Sequence, residues 1–201
     1  MTKKPWDAQL AYWLVKPLKD TWVHPNHLTT VRLITGLAAT AALAVADGNW
    51  ANIGAGLFVL SNFLDHTDGE LARLSGKSSK WGHQYDLACD AIIHILLFVA
   101  IGYSLLDSKL GWWALVMGIV SGASVACIFH LRNKMEQRLG KDATHQPKFA
   151  GFDIEDVLYL FPIATLLHGL EPLLVAASIG APIFAVWVIW QFFTLPQSKP
   201  Q

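Results

Sequence analysis

Charge is scarce in this sequence. Charged residues occupy 15% of its 201 positions, against about 25% in an ordinary soluble domain. What charge there is cancels, 15 basic side chains facing 15 acidic ones. A nucleic-acid binder normally shows a basic surplus, so no nucleic-acid partner is expected. Cysteine is scarcer still. Cys89 and Cys127 each lie inside an apolar run and read as small packing residues rather than as thiol chemistry. Internal repeats and low-complexity segments are missing too. In place of charge there are 53% hydrophobic residues and nine tryptophans. That balance points to a lipid bilayer as the first partner.

Apolar runs occur at residues 28–46, 51–72, 83–105, 111–131, 154–170 and 173–194. A helix needs about 17–25 residues to cross roughly 30 Å of hydrocarbon. The first run is not a signal peptide, although Ala44-Val45-Ala46 resembles a cleavage site, because its polar lead is too long and complex. If six spans alternate, fourteen of the basic residues fall on one side and only Lys109 on the other. By the positive-inside rule both termini then face the cytoplasm. The expected fold is all-α: a polytopic bundle of six transmembrane helices at 25–194, with a short tail at 195–201. Ahead of it, residues 1–24 contain WDAQLAYWLVKPLKDTW, whose aromatic and basic residues suit an amphipathic helix lying in the headgroup layer. A soluble cap packed on the bundle is the competing reading. Gly118 and Gly122 form a GxxxG pair, which serves either a homodimer or packing within one bundle.

Four aspartates stand out against this background. Asp65 and Asp68 are three apart, Asp86 and Asp90 four apart, so each pair shares a helix face. The link LSGKSSKW is short, which sets the two helices antiparallel and brings the pairs to similar depth. Ionised carboxylates in hydrocarbon are costly and mark a functional site. Four of them that close require protons or cations. An all-oxygen donor set suits Mg²⁺ or Mn²⁺, and Ca²⁺ also fits; zinc prefers sulfur and imidazole. Two such ions would form the clamp used in phosphoryl chemistry. His66 and His83 border the motif but fall outside the repeated face. Gly69 and Gly82 leave room for a ligand to approach the backbone, and Arg73 can grip a phosphate. Taken singly, helix packing explains the glycines and positive-inside bias explains the arginine.

The pattern Asp65-x-x-Asp68-Gly69-x-x-Ala72-Arg73, eight residues, Gly82-x-x-x-Asp86-x-x-x-Asp90 resembles the signature of the CDP-alcohol phosphotransferases. Pro25-Asn26-x-x-Thr29 is similar to that family as well. The resemblance implies a membrane enzyme that transfers a substituted phosphate from a CDP-linked donor to an alcohol, releasing CMP. It assigns Asp65, Asp68, Asp86 and Asp90 to metal, with Asp90 also the general base. It assigns Asn26, Thr29, Gly69, Arg73 and Ser79 to the CDP moiety, and makes Ala72 and Gly82 positions of restricted size.

Donor and acceptor are less closely specified. Arg132, Lys134 and Arg138 either bind the phosphate of an acceptor or follow from positive-inside topology and anionic lipid. Asp153, Glu155 and Asp156 either touch a polyol or cap a helix. The modest length favours CDP-diacylglycerol as donor; a CDP-linked head group (choline, ethanolamine or inositol type) is the alternative. An ion-coupled transporter would instead need polar groups near the midplane of several helices.

Overall fold

Helix follows helix along the chain of the computed structural model, which describes residues 6–45, 47–139 and 161–194. The elements are α1 (Trp6–Val15), a 3-10 turn (Lys16–Leu18), α2 (Pro25–Val45), α3 (Trp50–Ser75), α4 (Lys80–Ser104), α5 (Trp112–Leu139), α6 (Phe161–Leu166) and α7 (Leu170–Thr194). No strand occurs among the described residues. Pro25 opens α2, where a missing N–H costs nothing and φ is already helical. Its threonines fold their hydroxyls back onto the helix: Thr30 donates to the Asn26 carbonyl at 2.8 Å and Thr40 to that of Leu37 at 2.8 Å. That leaves few bare hydroxyls on a helix built to lie in an apolar medium.

The turn between α3 and α4 sets the geometry of the acidic face. Gly76 ends α3 in the left-handed conformation, at φ 66°, which glycine adopts without a Cβ clash. Ser79 then starts α4, its Oγ accepting from the Gly82 N–H at 2.9 Å. Only Gly76–Ser79 separate the two helices, so they run antiparallel. Lys77 in this turn donates from Nζ to the carbonyls of Thr21 at 2.6 Å and Val23 at 3.2 Å, tying it to the approach to α2.

Glycine sets the contact between α4 and α5. A Cβ at Gly122 would come within 2.8 Å of the Ile95 Cα. At Gly118 it would collide with the Phe98 carbonyl, and at Gly102 with that of Ala114. The Gly118–Gly122 stripe is therefore used inside one bundle, which leaves the expected homodimer without a motif of its own.

Helix α7 packs on α5 through Ile128, Met135, Ala185 and Val188. The Arg132 guanidinium lies over the Phe184 ring and the Arg138 guanidinium over Phe192. The two pairings advance together, so α5 and α7 run parallel. Leu170 and Leu174, at the start of α7, join the core with Leu43, Ala100, Ile101 and Ala114, at the end of the bundle away from the aspartates.

Four helices, α2, α4, α5 and α7, are long and apolar enough to cross a membrane. The 26-residue α3 has the length, but polar residues such as Asn52, Asn62, Asp65 and His66 lower its hydropathy and it is not in that set. The expected span at 154–170 is described only from residue 161, and Asp153, Glu155 and Asp156 lie outside the described residues. Within its described part, α6 has six residues, about 9 Å of helix, and a turn leads from it to α7. Six crossings are thus not established. Helix α1 buries Ala11 and Val15, lies along α3, and exposes Leu10, Trp13 and Leu14.

Because a Cβ at Gly118 or Gly122 meets backbone rather than a movable side chain, Gly118→Ala and Gly122→Ala should each destabilise the protein by about 1–3 kcal/mol. Thermal unfolding in detergent reads the loss, and light scattering should show the oligomeric state unchanged. A changed oligomer with no loss of stability would assign the stripe to a dimer instead.

Candidate active site

Helices α2, α3 and α4 bring their charged groups to one point. Arg32 Nη1 lies 2.6 Å from Asp65 Oδ1 and 2.7 Å from Asp86 Oδ1. Its Nη2 donates to Asp90 Oδ1. Asp68 is held separately: Thr29 Oγ1, one turn before Arg32, donates to its Oδ2 at 2.7 Å. One face of α2 therefore grips all four carboxylates. Carboxylate oxygens of Asp65, Asp68 and Asp86 lie within 4.8 Å of one another. Asp68 is buried, whereas Asp65, Asp86 and Asp90 are partly open.

This arrangement fits a hard divalent cation. The donors are carboxylate oxygens alone, and a cationic nitrogen already sits between Asp65 and Asp86 at hydrogen-bonding distance. Two histidines border the motif. His66 Nδ1 bonds the Asn62 carbonyl of its own helix at 3.1 Å, and His83 Nε2 accepts from the Gln137 amide at 2.6 Å.

The remaining signature residues separate into two kinds. A Cβ at Gly82 would lie 2.8 Å from Asn26 Oδ1 and 3.1 Å from Ser79 Oγ. The bareness of Gly82 lets the starts of α2 and α4 meet, and Asn26 fills the space. At Gly69 the nearest atom to a Cβ would be Arg73 Nη2 at 3.8 Å. Helix packing does not require glycine there. Ala72 is half-buried on the same helix. Arg73 is exposed and donates from Nη2 to Glu70 Oε1 at 3.1 Å, an anchor that is itself buried. Ser79 is engaged as the cap of α4.

The three basic residues of α5 have different surroundings. Arg132 and Arg138 stack on α7 phenylalanines, and Lys134 is exposed. A small pocket does open beside Asp90, lined by Leu87, Asp90 and Ala91 of α4 and Ala126, Phe129 and His130 of α5.

A model of the CDP-alcohol phosphatidyltransferase family matches residues 22–195. The chain belongs to that family. It is therefore a membrane protein, in keeping with its apolar helices. Cholinephosphotransferase 1 of Danio rerio is 36% identical over 99 residues, 45% of this chain and 25% of that protein. A CDP-diacylglycerol--glycerol-3-phosphate 3-phosphatidyltransferase of Cereibacter sphaeroides is 35% identical over 85 residues, 41% of this chain and 38% of the relative. The phosphatidylinositol phosphate synthase of Corynebacterium glutamicum is 37% identical over 109 residues, 53% and 45% of the two chains. The matches thus span less than half the length of each relative. The four aspartates expected from sequence meet here, but Arg32 was not among the site residues expected from sequence. Its signal was present: an arginine inside an apolar span, three residues after Thr29.

Asp68 is buried with Thr29 as its hydroxyl donor. Thr29→Val should cost about 1–3 kcal/mol by leaving that carboxylate short of a donor, while Thr29→Ser should be nearly neutral. Thermal unfolding in detergent distinguishes them; equal stability of both variants would remove the bond's importance.

Proposed function

We propose that this chain moves a substituted phosphate from CDP-diacylglycerol to an alcohol, releasing CMP, in phospholipid synthesis. The reading rests on the convergence of Asp65, Asp68, Asp86 and Asp90 at one end of an apolar helical bundle, within a chain that belongs to the family. Membership in it leaves the ion-coupled transporter without support.

Asp65, Asp68, Asp86 and Asp90 are the residues to hold Mg²⁺ or Mn²⁺, which when bound neutralises pyrophosphate charge. Arg73, steadied by Glu70, turns toward the donor phosphates and binds them through its planar fork. Gly69 leaves the space over which the donor passes, and Asn26 and Ser79, which meet at Gly82, belong to the nucleotide's site in this reading. Asp90 has one oxygen engaged by Arg32, so the other accepts the proton of the incoming hydroxyl. The alcohol oxygen forms its bond to the β-phosphorus as the bond from that phosphorus to CMP breaks, in line. The pocket beside Asp90, with His130 in its wall, is where the acceptor hydroxyl enters. Arg132, Lys134 and Arg138 are better explained by topology and lipid than by acceptor phosphate, given the stacking on Phe184 and Phe192.

Six crossings also belong to this reading. Beside the four apolar helices, α3 supplies a span, and α5 and α7 run parallel. The basic residues put the site and both termini on the cytoplasmic side. Helix α1 would lie at that surface with Trp13 and Leu14 toward the acyl chains. A homodimer would use apolar faces other than the Gly118–Gly122 stripe. A CDP-linked head group is the second reading for the donor, favoured by the likeness to cholinephosphotransferase 1.

Purified protein offered CDP-diacylglycerol with a panel of alcohols should release CMP. Activity should vanish in EDTA and return with Mg²⁺ or Mn²⁺; metal-independent release would count against the carboxylate clamp. Asp90→Asn should abolish turnover in a folded protein, and retained turnover would take the base role from Asp90. Gly69→Ala should stabilise the helix by about 0.5–1 kcal/mol yet slow CMP release. If turnover is untouched, the donor does not cross Gly69.

A further inference from the structure

Arg32 is 1% exposed, the most deeply buried arginine among the described residues. Its Nη1 sits at 2.6 Å and 2.7 Å from oxygens of Asp65 and Asp86, and its Nη2 bonds Asp90. Divalent ions of the magnesium and calcium type hold oxygens at roughly 2.0–2.6 Å, so a guanidinium nitrogen takes up nearly the position of a small cation relative to those two carboxylates. Its Nε is buried with no hydrogen-bond partner. The aspartates, rather than a surrounding scaffold of donors and acceptors, therefore hold the fork in place. Only Asp68 lies outside its grip, held by Thr29.

We propose that Arg32 is a built-in counter-cation of the acidic cluster. It holds Asp65, Asp86 and Asp90 together before divalent ions arrive, and it weakens their affinity once they bind. One permanent cation among the carboxylates lowers the negative charge of the cluster by one at any state of protonation, and a divalent ion is attracted correspondingly less. The site then holds metal loosely until the pyrophosphate of the donor adds its own oxygens. This inference rests on the metal reading above.

Titration of the purified full-length chain with Mn²⁺, followed by the electron paramagnetic resonance of the free ion and without any CDP donor, tests it. Arg32→Gln should bind Mn²⁺ about tenfold more tightly than wild type, or better. Arg32→Lys keeps the charge but cannot bridge three carboxylates, and should stay within about threefold of wild type. In EDTA, Arg32→Gln should melt below wild type, and Mn²⁺ should close the gap. Equal or weaker Mn²⁺ binding by Arg32→Gln overturns the proposal, because an arginine that merely positions ligands would weaken binding when removed. Should Arg32→Gln fail to fold even with Mn²⁺, Arg32→Lys decides: a tenfold loss of affinity there makes the role geometric and overturns the proposal. Wild type that binds no Mn²⁺ at all would overturn the metal reading along with this one.

Discussion

A single cationic side chain reaches three of four carboxylates where helices α2, α3 and α4 meet, and the local architecture is organised around that contact. Acidic groups placed in apolar helices repel one another and lose hydration. Arg32 offsets both effects for Asp65, Asp86 and Asp90 at once, and Thr29 supplies a donor to Asp68 from the same face of α2. The Ser61 hydroxyl donates to the Arg32 carbonyl at 3.0 Å, joining α3 to α2 at that level. Gly36, a turn further in, lets Ile93 of α4 approach α2. The charged layer and the close packing beneath it therefore share their residues.

Around this point the chain uses small residues for two different purposes. Gly82, Gly102, Gly118 and Gly122 sit where another part of the same chain comes close, and a methyl group at any of them would meet it. Gly69 has no such neighbour. Within one signature, then, one glycine is there for the protein's own contacts and the other leaves open space beside the acidic cluster. The distinction matters for chemistry, since space that packing does not claim is space a ligand can use.

The arrangement of the long helices gives the site its setting. The acidic cluster lies in the half of the bundle that carries the turn Gly76–Ser79, about 9–15 Å along α3 and α4 from it. Apolar side chains such as Trp113, Ile183, Val186 and Trp190 are exposed on α5 and α7, as suits helices facing lipid. A water-soluble nucleotide can reach such an end while a lipid-linked group remains in the bilayer. This is the physical sense in which a family of membrane transferases can share one shallow polar centre.

Much of this was determined by the sequence alone. Helical spacing put Asp65 with Asp68 and Asp86 with Asp90, and the short link through Gly76 made their helices neighbours. Those relations are local: a helix repeats every 3.6 residues wherever it lies, and a four-residue turn leaves little choice of direction. The tertiary structure decided what local spacing cannot encode. Which faces meet depends on how each helix is rotated and crossed against the others, and that is set by packing across the whole bundle. So Arg32 turned out to belong to the acidic cluster rather than to topology, Gly118 and Gly122 to α4 rather than to a second copy, and Arg132 and Arg138 to the phenylalanines of α7. His83, adjacent to the motif in sequence, meets the Gln137 amide of α5 for the same reason.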